Sequence, residues 1–95
     1  MDTYMALVDV TDETVQNIQD LATIWSDLTG DIEALGGELL DAYAILGEHD
    51  YLIIFEADGR DGAFKTSVSI ERYGLDTQTM EIIPVEDLGG LVEDI

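Results

Sequence analysis

Ninety-five residues carry 22 Asp and Glu against three Lys or Arg, one His and no Cys, a formal net charge of −19 at pH 7. That length holds one hydrophobic core, and the lack of cysteine excludes disulfides, thiolate nucleophiles and zinc–sulfur sites. Three scattered cations cannot match a run of phosphates, which argues against nucleic acid as a direct partner, and no apolar run approaches the ~20 residues that span a bilayer.

Hydrophobic residues make up 46% of the chain, enough to offset the entropy of ordering it. A domain this small is marginal alone, so association that hides more apolar surface is expected. The acidity admits two readings. Acids are spread over nearly every segment, a surface that repels itself in dilute buffer and is screened at molar salt, where the Debye length is ~3 Å. A halophilic cytoplasm accounts for that; a specialised acidic protein that mimics nucleic acid or binds cations is the other reading. The acidic opening Met1-Asp2-Thr3 lacks the basic region of a secretion signal, and a cytoplasmic location is expected.

Tyr4 to Val10 is a β-branched and aromatic run and the first expected strand. Thr11-Asp12-Glu13 supplies capping oxygens and early negative charge for a helix. Val15, Ile18, Ala22, Trp25, Leu28, Ile32 and Leu35 then recur at spacings of three and four, an amphipathic helix that Gly36-Gly37 stops. Residues 38–46 form the second expected strand, with Leu40, Ala42, Ala44 and Leu46 on one face and Leu39, Asp41, Tyr43 and Ile45 on the other. Gly47-Glu48-His49-Asp50 is a polar break that reads as a hairpin turn.

Tyr51 to Ala57 alternates as the third strand, and a second helix over about 61–72 is anchored by Ala63, Phe64, Ser67, Val68 and Ile70. Thr77 to Ile83 is the fourth strand, ended by Pro84, which cannot donate to a ladder. Residues 1–84 thus form the domain, and 85–95 an acidic tail, either docked or frayed.

The order βαββαβ predicts an α+β, ferredoxin-like fold: a four-stranded antiparallel sheet with both helices on one face. Ala6/Val8, Ala42/Ala44, Ile53/Phe55 and Met80/Ile82 are assigned to the helices. The opposite face mixes Met5, Leu7, Leu39, Ile45, Leu52, Ile54 and Ile83 with Asp9, Asp41, Tyr43, Glu56 and Glu81. A sheet face open to water is mostly polar. One this apolar points to a sheet-to-sheet homodimer.

Several short runs, in order and at their spacing, resemble the GYD domain family. They are Tyr4-Met5-Ala6-Leu7, Thr11-Asp12, Asn17-Ile18-Gln19-Asp20, Leu35-Gly36-Gly37, Tyr43, Gly47-Glu48-His49-Asp50, Glu56-Ala57 and Thr77-Gln78-Thr79. The resemblance implies a dimeric ferredoxin-like α/β-barrel. His49 stands where the naming motif usually holds tyrosine, no basic residue lies near Ile24, and loop 58–62 lacks the common proline. The Gly-Glu-X-Asp turn and the threonine-rich fourth strand are also similar to the effector domains of Lrp/AsnC-type regulators, though no helix-turn-helix precedes them.

Glu48-His49-Asp50 sets the one histidine between carboxylates, either as a general base or metal ligand or as a turn in which Asp50 bonds backbone amides and Gly47 takes a positive φ. The carboxylates favour the imidazolium, so a slightly raised His49 pKa is expected. Tyr43, Asp41, Asp9 and Glu56 are the candidate ligand-binding residues, lining a cleft on the second sheet face or the rim of a dimer interface. Pairing across the turn is expected to set Tyr43 opposite Ile54 and diagonal to Glu56, with Leu7 and Ile45 bounding the pocket and His49 outside it. Met5 and Met80 read as core filler. No catalytic residue, metal or cofactor is assigned. A homodimeric small-ligand-binding or interaction module is the favoured function, and a cofactor-free monooxygenase or isomerase using Tyr43, His49 or Glu56 the alternative.

Overall fold

Period-two alternation along residues 2–10 buries one side of the first strand, β1 (Asp2–Val10): Tyr4, Ala6 and Val8 are inaccessible to solvent or nearly so. The computed structural model describes residues 1–11 and 18–93. Six further elements follow β1: α1 (Ile18–Ala34), β2 (Glu38–Ala44), β3 (Tyr51–Ala57), α2 (Gly59–Glu71), β4 (Leu75–Ile82) and α3 (Val85–Val92). The strands form one sheet in the order β2-β3-β1-β4, with every pairing antiparallel. This is the ferredoxin-like βαββαβ arrangement, followed by a short helix.

The core lies between one sheet face and two helices. Leu28 and Ile32 of α1 and Ala63 and Ile70 of α2 close over Tyr4, Ala6, Val8, Ile53, Phe55, Ala57 and Leu75. The Tyr4 and Phe55 rings stack with centroids 5.6 Å apart, and Trp25 meets Tyr51 edge-on at 5.4 Å. Burying a side chain such as Phe55 or Ile53 contributes about 1.5–3 kcal/mol. The expected cap at Asp12 and Glu13, with Val15 and Asn17, lies outside the described residues. Ala22, expected on the packed face of α1, is exposed, and Leu35 at its end is partly so.

Two glycines end α1 for different reasons. Gly36 has φ +86°, where a side chain is strained. Gly37 lies directly under the main-chain oxygen of Glu56, and any Cβ there collides with it. The α1–β2 connection therefore approaches the sheet as closely as backbone allows.

Four expectations about faces and turns are corrected. β4 turns Leu75, Thr77 and Thr79 to the helices, because Ala6 pairs with Thr79 and Val8 with Thr77; Met80 and Ile82 lie on the other face, opposite Met5 and Thr3, and Glu81 is on the helix side opposite Tyr4. The polar residues are tolerated there because Ser67 Oγ lies 2.7 Å from Thr79 Oγ1 and also donates to the Ala63 carbonyl. A bulge between Leu39 and Asp41 returns Leu39 to the core and leaves Leu40 outside, so β2 does not alternate evenly. In α2, Gly62, Ala63, Thr66 and Ile70 are buried, whereas Phe64 and Val68 face solvent. Gly47 does not adopt a positive φ.

Candidate functional site on the open sheet face

Strand register decides which side chains share the face away from the helices. One row across the sheet reads Tyr43, Leu52, Leu7 and Gln78, the next Asp41, Ile54, Met5 and Met80, and the third Glu38, Glu56, Thr3 and Ile82. The centre is apolar: Met5, Leu7, Leu52, Ile54 and Ile82 are half-buried by their neighbours alone. Acidic groups hold the margins. Glu38 and Glu56 stand directly opposite each other, a repulsive cross-strand pair.

Tyr43 and Glu56 do not meet. Tyr43 pairs with Leu52 and Asp41 with Ile54, which puts Glu56 four residues beyond Tyr43's partner, about 13 Å at a rise of ~3.3 Å per residue. The cause is the turn. The Ile45 N–H donates to the Asp50 carbonyl at 2.8 Å, so the connection closes earlier than Gly47 and the pairing slides by two residues. A two-residue slide keeps every side chain on its expected face and moves only its neighbours. Asp41 is the polar residue beside Tyr43, which is 56% exposed on edge strand β2. Tyr43 also borders a shallow groove of about 300 Å³ with Trp25, Ala42, Ala44 and Tyr51.

Asp9, by contrast, is already engaged. Its Oδ2 lies 3.0 Å from His49 Nδ1, and its Oδ1 accepts from the Asp50 N–H at 3.1 Å. Asp50 reciprocates, its carboxylate accepting the Val10 N–H at 2.8 Å. The turn is thus latched to the end of β1 by two carboxylates and an imidazole. The hydrogen bond to Asp9 raises the His49 pKa above its usual 6.5, partial burial works against that, and the charges of Asp9, Glu48 and Asp50 add to the rise. Sequence spacing shows the neighbours Glu48 and Asp50 but not Asp9, which comes from forty residues away.

A roomier cleft of about 460 Å³ lies on the helical side, lined by Asp31, Ala34, Leu35, Ser69, Arg72 and Tyr73. The Tyr73 hydroxyl donates to Asp31, and that bond with burial pushes its pKa up to about 12. Nothing in the sequence pattern marks this cleft, because Asp31 lies in α1 and Tyr73 in the turn after α2, forty-two residues away. Among the described residues no three acidic or histidine side chains converge to hold a metal ion, and no helix is long and apolar enough to cross a membrane.

The GYD domain model matches residues 4–92, nearly the whole chain and α3 with it. The chain belongs to the GYD domain family. A search of curated protein sequences returned no match. Among solved structures, this GYD chain is similar to the leucine response regulatory protein of Mycobacterium tuberculosis, with a TM-score of 0.61 and 14% identity over 88% of its own length and 51% of that chain. It is also similar to a variant of Rv3291c, with a TM-score of 0.62 and 13% identity over 90% of its length and 52% of that chain. The GYD chain spans about half of those proteins, and the likeness is one of fold.

Proposed function

We propose that this GYD protein is a homodimeric module of a halophilic cytoplasm that binds a small ligand or a protein partner, with the open sheet face as the dimer interface. The observation that carries this is the apolar centre formed by Met5, Leu7, Leu52, Ile54, Met80 and Ile82 inside a rim of Glu38, Asp41, Glu56 and Asp76. Strands ~4.8 Å apart and ~8 residues long give this face roughly 500 Å² in projection, and a rugged face exposes more than its projection, approaching the roughly 800 Å² per partner of a standard interface. A second copy is the occupant that matches an apolar patch of that size and shape.

Two such faces packed together leave their polar members at the edges, where a ligand can meet both copies. Tyr43 and Asp41 form one polar pair for it, and Glu56 with Glu38 a separate acidic pair further along the ladder. Asp9 serves the turn. The leucine-responsive name of the similar regulator fits a small-molecule ligand, and the set of a few polar groups beside apolar walls suits one that is partly apolar. Native mass spectrometry of protein purified in high salt tests this reading. A dimer that retains a small molecule, lost in Asp41→Asn/Tyr43→Phe and kept in His49→Gln, is the expected result; a dimer with no adduct leaves only the protein-interaction role.

A further inference from the structure

Among the described residues helix α3 (Val85–Val92) packs against no other element, and none of its residues is buried. The molecule extends to 50 Å with a radius of gyration of 14.5 Å, where a chain of about 100 residues usually has ~13 Å. An isolated helix needs about 12–15 residues to be even marginally stable, and Gly89 and Gly90 are the poorest helix formers apart from proline. Such a helix holds its shape against a partner. Its side chains are sorted for one: Val85, Leu88, Leu91 and Val92 fall on a single stripe, with Asp87 at its margin and Glu86 and Glu93 behind.

The complementary surface is on α2. The chain's only basic residues, Arg60, Lys65 and Arg72, lie on this helix or at its cap. Among the described residues none of them is ion-paired. With Asp61 and Glu71 counted, and Asp58 and Arg72 at its caps, α2 is neutral, the one element that is not net acidic. Phe64 and Val68 are 66% and 57% exposed, and with Leu35, Lys65, Ser69 and Arg72 they line a groove of about 360 Å³. The open sheet face is the competing apolar surface, but its rim of Glu38, Asp41, Glu56 and Asp76 repels an acidic helix.

We propose that α3 of one copy docks its Val85/Leu88/Leu91/Val92 stripe into the Leu35/Phe64/Val68 groove on α2 of a second copy, with Lys65 and Arg72 beside Asp87 at the stripe's margin. This contact is separate from the sheet-face dimer and uses the opposite side of the molecule, so it links dimers to one another.

The cysteine-free chain makes the test direct. Two single variants, Val68→Cys and Leu88→Cys, carry tags of different mass and are mixed and mildly oxidised in molar KCl. The expected product is the mixed disulfide, several-fold above either like-with-like product, and reduced several-fold by adding Leu91→Asp to the Leu88→Cys chain. A statistical distribution of products overturns the proposal. So does a Val68→Cys/Leu88→Cys double variant that links only within its own chain. Repeating the mixture in a Leu7→Asp background removes the sheet-face dimer, so that failure of the dimer reading does not register as failure of this contact.

Discussion

His49 Nδ1 lies 3.0 Å from Asp9 Oδ2, which ties the β2–β3 turn to the end of β1. The folded-state pKa of this imidazole is raised above 6.5. Its contribution to stability is therefore complete below the unfolded pKa of about 6.5 and is lost as pH rises through the higher folded value. The melting temperature of the wild type should exceed that of His49→Gln most at pH 5.5–6 and least above pH 8, in constant molar KCl. A gap independent of pH contradicts the ion pair.

Gly37 and Gly30 should respond oppositely to the same substitution. A Cβ at Gly37 meets the Glu56 backbone, which cannot swing aside, whereas one at Gly30 meets nothing within 4 Å on an exposed turn of α1. Gly37→Ala should cost about 1–3 kcal/mol through overpacking, and Gly30→Ala should stabilise by up to about 1 kcal/mol through helix propensity. Denaturant unfolding in high salt measures both, and equal signs would refute the close approach at Gly37.

Period-two alternation makes β1 and β3 legible in the sequence, because Tyr4/Ala6/Val8 and Ile53/Phe55/Ala57 are apolar on the side the helices cover. The same rule misplaces Met80 and Ile82, since β4 turns threonines inward and satisfies them through Ser67. Leu39 is misplaced by a bulge with no composition of its own. The candidate residues fall on the expected face, but their spacing depends on where the turn closes, a fact set by one backbone hydrogen bond from Ile45 to Asp50. Asp9–His49 and Asp31–Tyr73 join residues far apart in sequence, and no local pattern reports such pairs.

Salt should govern folding. With 22 acids against three cations, and Glu38 facing Glu56 across the sheet, repulsion is long-ranged in dilute buffer. The Debye length falls from ~30 Å at 0.01 M to ~3 Å at 1 M, so repulsion between surface carboxylates is largely removed at molar KCl. Circular dichroism across that series should show loss of structure at low salt and recovery on adding KCl. An unchanged spectrum and melting temperature at 10 mM salt, roughly the 30 Å screening regime, would remove the halophilic reading.

The open-face dimer is tested most directly by light scattering in molar KCl on wild type, Leu7→Asp and Val8→Asp. Leu7 sits half-buried at the centre of the open face, and Val8, its neighbour, is fully buried against the helices. An unpaired charge at Val8 costs several kcal/mol, comparable with the ~5–15 kcal/mol that holds a domain together, so Val8→Asp should unfold the chain. Leu7→Asp should keep the wild-type circular dichroism and halve the mass, from two chains, or a multiple of two, per particle. A wild type that is monomeric, or a Leu7→Asp protein of undiminished mass, contradicts the account.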